Sequence, residues 1–451
     1  MKKILLALPL IAGASWAGST FYAGTQAQPA YEKLLSQLNE QAAGVLVFES
    51  KEYNAGFTHS TALTNITVHN APETQVLQLQ HDISHSPIGS DPQGARFSAS
   101  SITTRLLQDS IESEQGKEVL AGFDGGEPFV LYTDVAFNGS TFNDLQLSSF
   151  SMRSERGSFT FDGGRYEITG QNDKVDITGI LGEFKFIDAT NNTVSVAESS
   201  TNFDLLMVGK GVFTGEQTVT FPSVTISNNG LDAKLDDIVL RSMTSLNGEK
   251  LNSETGFSIA SISSPMPLNS LSWDFALNGM SVEGLEHYIA TMNQISSLSE
   301  DELQEIGFAT LMTQLRDGFS SLAPPGTEFS NKLTLTNDGG DLVNEIDLTF
   351  LGDGSDSGID SMLTVGDLLQ AINVNMELEA DAPAISMTPA AMFMMHPMAQ
   401  QYIINDGEKY TSNINIANLM LDINGTLQPL DQLMGDTLDI PLDFSSAMAD
   451  F

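Results

Sequence analysis

Residues 77–83 read LQLQHDI, and this stretch decides the fold class. Its apolar and histidine side chains take every second position: Leu77, Leu79, His81 and Ile83. Successive side chains of a β-strand point to opposite faces of a sheet, so a period of two predicts a half-buried strand. Similar alternating runs recur through most of residues 44–280 and predict an extended antiparallel meander. Strands do not alternate with helices there, which argues against a parallel nucleotide-binding sheet.

Turn residues divide these runs. Asp162-Gly163-Gly164 lies between two alternating patterns, and Asp338-Gly339-Gly340 repeats the same arrangement later in the chain. Asn228-Asn229-Gly230 and Asn424-Gly425 also follow strand-like text. Glycine supplies the positive φ that a tight turn needs, so the two Asp-Gly-Gly segments predict hairpins and the other two segments predict turns.

Helical patterns interrupt the strands. Residues 31–41 place Tyr31, Leu34, Leu35 and Leu38 on one face, as an amphipathic helix does. A helical insert follows residue 280: a first helix carries Leu285 to Ile295, and a second opens on the capping box of residues 299–302. The predicted fold class is α+β, mainly antiparallel β, with an extended meander sheet and a helical insert. We place a β-rich lobe at residues 25–275 and an α+β lobe with closing strands at 276–451.

The N-terminus predicts export. Two lysines, Lys2 and Lys3, precede the uncharged residues 4–23, and a helix of that length spans about 30 Å, one hydrocarbon core. We expect residues 1–24 to form a retained signal anchor with one transmembrane helix. The lysines on the cytoplasmic side direct the body into the periplasm. A cleaved signal peptide is the alternative, with small-residue cleavage sites at residues 12–14 or 17–19.

The charge balance excludes one class of partner. The chain has 58 acidic and 19 basic residues, a formal net charge of −39. Such a surface repels nucleic acid, because it offers no counterion release. The sequence contains no cysteine, so disulfides, thiolate metal sites and cysteine nucleophiles are excluded as well.

The histidines do not predict a metal site. There are six: His59, His69, His81, His85, His287 and His396. His81 and His85 have the spacing of a metal pair on a helix, but four residues along a strand cover about 13 Å, too far to share a zinc ion. We therefore interpret both as strand histidines beside a turn.

An acidic segment at residues 353–360 resembles a calcium loop at its early positions. Leu363 and Thr364 stand where a bidentate glutamate is needed, so we interpret the segment as an acidic turn. A calcium-stabilised module stays open as a third possibility. Nucleophile elbows, P-loops and dinucleotide fingerprints are absent from the sequence, and we predict no catalytic, cofactor-binding or metal-ligating residue and no cofactor.

One apolar cluster has two interpretations. It contains Met387, Met392, Met394, Met395 and Met398 in a short helical stretch that opens at Thr388-Pro389. Methionine fills irregular cores, which is the first interpretation. The second is an adaptable contact surface for an acyl chain or a partner helix.

Short motifs resemble a known family. They are Tyr53-Asn54-Ala55-Gly56-Phe57-Thr58-His59-Ser60, His81-Asp82-Ile83-Ser84-His85-Ser86-Pro87, Gly126-Glu127-Pro128-Phe129 and Leu421-Asp422-Ile423-Asn424-Gly425. The chain is similar nearly end to end to the YdgA-like DUF945 family of uncharacterised bacterial inner-membrane proteins, in which glycine is typical at the position of Ser86. The resemblance implies a retained anchor and a periplasmic body, and it implies no catalytic residue.

These observations predict a membrane-anchored periplasmic protein of the cell envelope that is not an enzyme. We expect it to be held in the inner membrane by residues 4–23 and to act by contact with envelope proteins or lipid. The alternative is a periplasmic hydrolase whose site is assembled from scattered acids and hydroxyls.

Overall fold

The computed structural model describes residues 31–440 apart from 33–34, 37, 40–45, 57–58, 69–74, 86–87, 92–93, 112, 229, 266, 298–320, 353–363, 389–390 and 392–400. The predicted anchor, the second helix of the insert, the acidic segment and most of the methionine cluster lie outside the described residues. Within the described ranges, no helix combines the length and the apolar character needed to cross a membrane.

The chain divides into two compact units, residues 1–208 with 296–299, and residues 209–295 with 300–451. The paired strands in each unit run antiparallel, so the predicted mainly antiparallel β architecture is confirmed. The predicted lobes, 25–275 and 276–451, stay a prediction.

Nine strands of the first unit are paired in the order β1-β2-β3-β6-β7-β8-β11-β12-β15. Their ranges are β1 Leu46–Asn54, β2 His59–Val68, β3 Gln75–Ser84, β6 Ser100–Leu106, β7 Phe129–Val135, β8 Thr141–Leu147, β11 Gly164–Gln171, β12 Lys174–Leu181 and β15 Ser199–Gly209. A second ladder has the order β9-β10-β13-β14, with ranges Phe150–Ser154, Gly157–Phe161, Phe184–Asp188 and Thr193–Val196. A separate hairpin joins β4 Ile88–Asp91 to β5 Gly94–Phe97.

The core of the first unit lies between this sheet and the helical residues 31–32, 35–36 and 38–39. Tyr31, Leu35 and Leu38 are buried, which confirms the predicted helix face at these positions. They pack against the alternating side chains of the first strands, among them Phe48, Ile66, Leu79, Ile83 and Val135. Each fully buried side chain of this size contributes about 1.5–3 kcal/mol, so the helix is held by packing rather than by its own propensity.

The edge of the sheet at β1 is closed by a side chain. Asn39 Nδ2 donates to the Phe48 carbonyl at 2.8 Å, and the Phe48 amide donates to Asn39 Oδ1 at 2.7 Å. The asparagine thus supplies the donor and the acceptor that a further strand would offer. Exposed edges with free backbone groups invite pairing with other chains, and this contact blocks the edge at one residue.

The hairpin predicted at Asp162-Gly163-Gly164 is wrong. β10 pairs with β9 and β13, whereas β11 pairs with β8 and β12, so the two strands on either side of the glycines do not pair with each other. Gly163 has a φ of +89°, and the chain bends there from one ladder into the other. A glycine with positive φ serves a bend as well as a turn, and the sequence pattern is the same for both.

The second unit contains longer strands, paired in the order β16-β17-β18-β19-β20-β21-β22-β24-β25-β26, with β23 also on β24. The ranges are β16 Val212–Asn228, β17 Leu231–Asn247, β18 Lys250–Ser263, β19 Ser270–Ser281, β20 Glu328–Asn337, β21 Gly340–Phe350, β22 Ile372–Asp381, β23 Ile404–Asn405, β24 Lys409–Ala417, β25 Met420–Ile423 and β26 Thr426–Pro429. The register confirms the hairpin predicted between β20 and β21, and it confirms the turns predicted after β16 and after β25.

The first helix of the predicted insert is confirmed as Val282–Ser297. The shorter α-helices are Glu114–Ala121, Val365–Gln370, Ala382–Ser386 and Leu430–Met434. Single 3₁₀ turns are Gln108–Ser110, Asp124–Gly126 and Gly435–Asp439.

Candidate functional site

A chain of polar side chains crosses the core of the first unit. His81 on β3 places Nε2 2.8 Å from Thr64 Oγ1 on β2 and Nδ1 2.9 Å from Thr104 Oγ1 on β6. Thr64 Oγ1 also lies 2.6 Å from the Tyr31 hydroxyl, which donates to the Leu63 carbonyl at 3.2 Å. We call Tyr31, Thr64, His81 and Thr104 the His81 network. It joins Tyr31 to three adjacent strands.

Burial controls the protonation of this network. It lowers the pKa of His81 from 6.5 to about 4, although part of the residue surface stays exposed. Burial also raises the pKa of Tyr31, against hydrogen bonds from Thr64 and Ser50 that lower it. The imidazole is therefore neutral near pH 7, with one nitrogen donating and the other accepting. Because threonine hydroxyls occupy both nitrogens, His81 has no free lone pair for a metal ion.

A second histidine pairs with a serine on the same face. Ser60 Oγ lies 2.9 Å from His85 Nε2 and accepts a hydrogen bond from the Gly56 amide at 3.1 Å. Ser60 is buried, and burial together with the nearby His59 lowers the pKa of His85. Within the described part of the chain, His85 Nδ1 has no hydrogen-bond partner. A nucleophilic serine–histidine pair needs a carboxylate at that nitrogen to orient the imidazole, and this pair does not have one there.

The structure shows where His81 and His85 lie relative to β3. His81 lies within β3, which confirms the strand interpretation for that residue, whereas His85 directly follows the strand. The two rings bond different partners. No cluster of three or more His, Asp or Glu side chains with metal-binding geometry occurs among the residues that the structure describes. The acidic segment 353–360 lies outside them.

The second unit carries an apolar row across five strands. Cross-strand partners lie on the same face of a sheet, and the register aligns Val219, Leu240, Phe257, Trp273 and Leu333. A parallel row contains Phe221, Ile238, Ile259, Leu271, Leu335 and Leu342. We call these two rows the apolar face. Leu240 is 42% exposed and Trp273 43%, and the other three residues of the first row are partly buried, so the described chain leaves the row partly uncovered.

The other face of the same sheet is polar. Arg241 Nε lies 3.2 Å from Glu216, and Lys332 Nζ lies 3.1 Å from Glu345. Both cations are sequence neighbours of residues on the apolar face, so their side chains point the opposite way. The sheet is therefore amphipathic. Large exposed apolar patches on such sheets mark sites of interaction with other molecules.

The sequence did not predict the His81 network, the Ser60–His85 pair or the apolar face, and the reason is the same for all three. Ser60 and His85 are 25 residues apart, Thr64 and His81 are 17 apart, and the apolar face runs across strands rather than along them. The period of two reveals which side chains share a face, but the register between strands decides which of them touch.

Comparison with known proteins finds the same family as the short sequence motifs do. The family model described as "Bacterial protein of unknown function (DUF945)" matches residues 1–431. The chain is 24% identical over 262 residues to "Uncharacterized protein YihF" of Escherichia coli strain K12, which covers 53% of this chain and 51% of that protein. The alignment thus spans about half the length of the relative. No solved structure matches. The chain belongs to the DUF945 family of bacterial proteins of unknown function.

Proposed function

We propose that this protein is a membrane-anchored protein of the bacterial envelope whose periplasmic body binds lipid acyl chains on the apolar face. The partly exposed row from Val219 to Leu333, in which Leu240 and Trp273 are the exposed members, is the observation that carries the proposal. The uncharged segment 4–23 supports it, because an anchor keeps the body within reach of the bilayer.

The dimensions of the row suit an acyl chain. Five strands have four spacings of about 4.8 Å each, so the row is about 19 Å long. One leaflet takes about 15 Å of a hydrocarbon core of about 30 Å. Burying about ten methylene groups contributes about 8 kcal/mol before the entropic cost of association is subtracted. The apolar face is therefore long enough and apolar enough to hold one chain.

Tryptophan fluorescence tests the binding. The chain has two tryptophans, Trp16 and Trp273, so the Trp16→Phe variant leaves only the one on the apolar face. We expect dibromostearate to quench Trp273 saturably and stearate to leave its emission unquenched. Leu333→Gln, directly opposite Trp273, should weaken the quenching, and Thr334→Gln on the polar face is the matched control. Lack of saturable quenching in the single-tryptophan protein contradicts acyl-chain binding.

Two further measurements address the anchor and the alternative activity. Mapping the N-terminus of the mature protein separates an anchor, which retains residues 4–23, from a signal peptide cleaved before Ser15 or Ser19. Turnover of generic ester, peptide or glycoside substrates, lost on a single serine or carboxylate change in a folded variant, would replace binding with hydrolysis. Ser60→Ala is the first variant to assay, because Ser60 bonds His85.

A further inference from the structure

The side of the second unit's sheet that bears the apolar face contains two asparagines. Four strands align on that side over residues 271–277, 329–335, 342–348 and 374–380. At alternate positions, beginning with the first residue of each segment, every side chain there is apolar except Asn331 and Asn344. Asparagine is depleted in strands, and a polar group in apolar surroundings is costly unless it is hydrogen-bonded, so the two amides call for a cause.

The strand register makes the two asparagines neighbours. Leu333 lies opposite Asn344, and Asn331 lies opposite Ile346. Asn331 and Asn344 are therefore diagonal neighbours on adjacent antiparallel strands, about 7–8 Å apart, which is within reach of one small polar group. Asn344 is also the next position of the row that runs from Val219 to Leu333, so that row meets an amide at β21.

Hydrogen bonds to the chain fix what each amide has left to offer. Trp273 Nε1 donates to Asn331 Oδ1 at 2.5 Å, which leaves Asn331 Nδ2 as a donor. Asn344 Nδ2 donates to the Glu377 carbonyl at 3.4 Å, which leaves Asn344 Oδ1 as an acceptor. Neither remaining atom has a hydrogen-bond partner among the residues that the structure describes. The pair thus presents one donor and one acceptor, both uncharged, beside the exposed Trp273.

The charges around the pair select against an ionic ligand. The aligned positions of the four segments carry no charged side chain on this side. A carboxylate or phosphate placed there would lose water without gaining a cation, and the net charge of −39 opposes its approach. An uncharged carbonyl or hydroxyl group meets neither obstacle.

We propose that Asn331 and Asn344 bind the uncharged polar end of an acyl lipid. The carbonyl of an ester or amide accepts from Asn331 Nδ2, and an adjoining hydroxyl or N–H group donates to Asn344 Oδ1. The acyl chain runs from there along the row towards Val219. This inference rests on the proposed acyl-chain binding and names the class of lipid: a neutral acyl ester or amide rather than a free fatty acid.

Two lipids with the same acyl chain test the inference in the Trp16→Phe protein. They are dibromostearate and its glycerol monoester, each used below the concentration at which it aggregates. We expect the monoester to reach half-maximal quenching of Trp273 at about tenfold lower concentration, which corresponds to about 1.4 kcal/mol. Equal affinities for the two lipids overturn the inference and leave acyl-chain binding intact, whereas quenching by neither lipid contradicts acyl-chain binding and the inference with it.

An asparagine variant tests the role of the amide itself. Asn344→Leu deletes the acceptor and keeps a side chain of similar size that suits a strand. It should abolish the preference for the monoester while dibromostearate still quenches Trp273. Asn375→Leu, on the polar side of β22, is the matched control and should keep the preference. A preference that survives Asn344→Leu unchanged overturns the inference.

Discussion

The Tyr31 hydroxyl and His81 Nε2 both bond Thr64 Oγ1, at 2.6 and 2.8 Å, so the helical residue Tyr31 is joined to β3 through β2. One hydroxyl thus couples the packing of the helix to the protonation of an imidazole. Since both nitrogens of His81 are already bonded, protonation forces Thr64 and Thr104 to act as acceptors together. This rearrangement has to occur inside the core.

Acid should destabilise the protein through His81. Burial lowers its pKa from 6.5 to about 4, so between these values the unfolded chain takes up a proton that the folded chain does not. The stabilisation is complete above pH 6.5 and is lost as the pH falls towards 4. It amounts to at most about 3 kcal/mol, because one pKa unit is worth about 1.4 kcal/mol and the residue keeps part of its surface exposed. Urea unfolding at pH 7.5, 6, 5 and 4 measures the loss.

The His81→Gln variant is the control for this pH dependence. It should be less stable than the unmodified protein at pH 7.5, with a flatter stability profile between pH 6.5 and 4. His59→Gln, whose side chain is 55% exposed, should keep the profile of the unmodified protein. The same slope in His81→Gln and in the unmodified protein would assign the acid loss to other groups.

The Thr64→Val variant should destabilise the fold at neutral pH. Valine keeps the shape of threonine but removes the hydroxyl, which leaves Tyr31 and His81 each without one partner. We expect the free energy of unfolding to fall by about 1–3 kcal/mol, the range for buried polar groups that lose a hydrogen bond. Thr103→Val, on the other face of β6, should stay within about 0.5 kcal/mol. Equal losses in both variants would contradict a special role for the network.

Much of the first unit can be predicted from residues 77–83 and the runs like them. The period of two is a property of the extended backbone, so it fixes β3 and the face that carries His81 without knowledge of any neighbour. The helical conformation of Tyr31, Leu35 and Leu38 follows equally from their spacing. The hydrogen-bond partners of these side chains cannot be predicted in the same way. The Thr64–His81 and Ser60–His85 contacts depend on how two strands align, and nothing local specifies that alignment.

The Asn39→Ala variant should weaken the edge of the sheet. It removes the two hydrogen bonds to the Phe48 backbone, and we expect a loss of about 1–2 kcal/mol in the free energy of unfolding. The freed edge should also raise self-association, which analytical ultracentrifugation measures. Ser36→Ala, an exposed position in the same helical segment, is the control. A monomer of unchanged stability would show that the asparagine does not protect the edge.

The Gly163→Ala variant tests the bend between the two ladders of the first unit. Gly163 has a φ of +89°, and an added Cβ would lie 2.7 Å from the Leu147 carbonyl oxygen, so the backbone of a neighbouring strand would have to move. We expect a loss of about 3 kcal/mol in the free energy of unfolding, the sum of conformational strain and a steric clash. Gly425 has nearly the same φ, +86°, but an added Cβ there would meet no atom within 4 Å. Gly425→Ala should therefore lose only about 1 kcal/mol, from the strain alone. If urea unfolding gives equal losses for the two variants, Gly163 is an ordinary turn residue, and the pairing of β10 with β13 and of β11 with β8 is wrong.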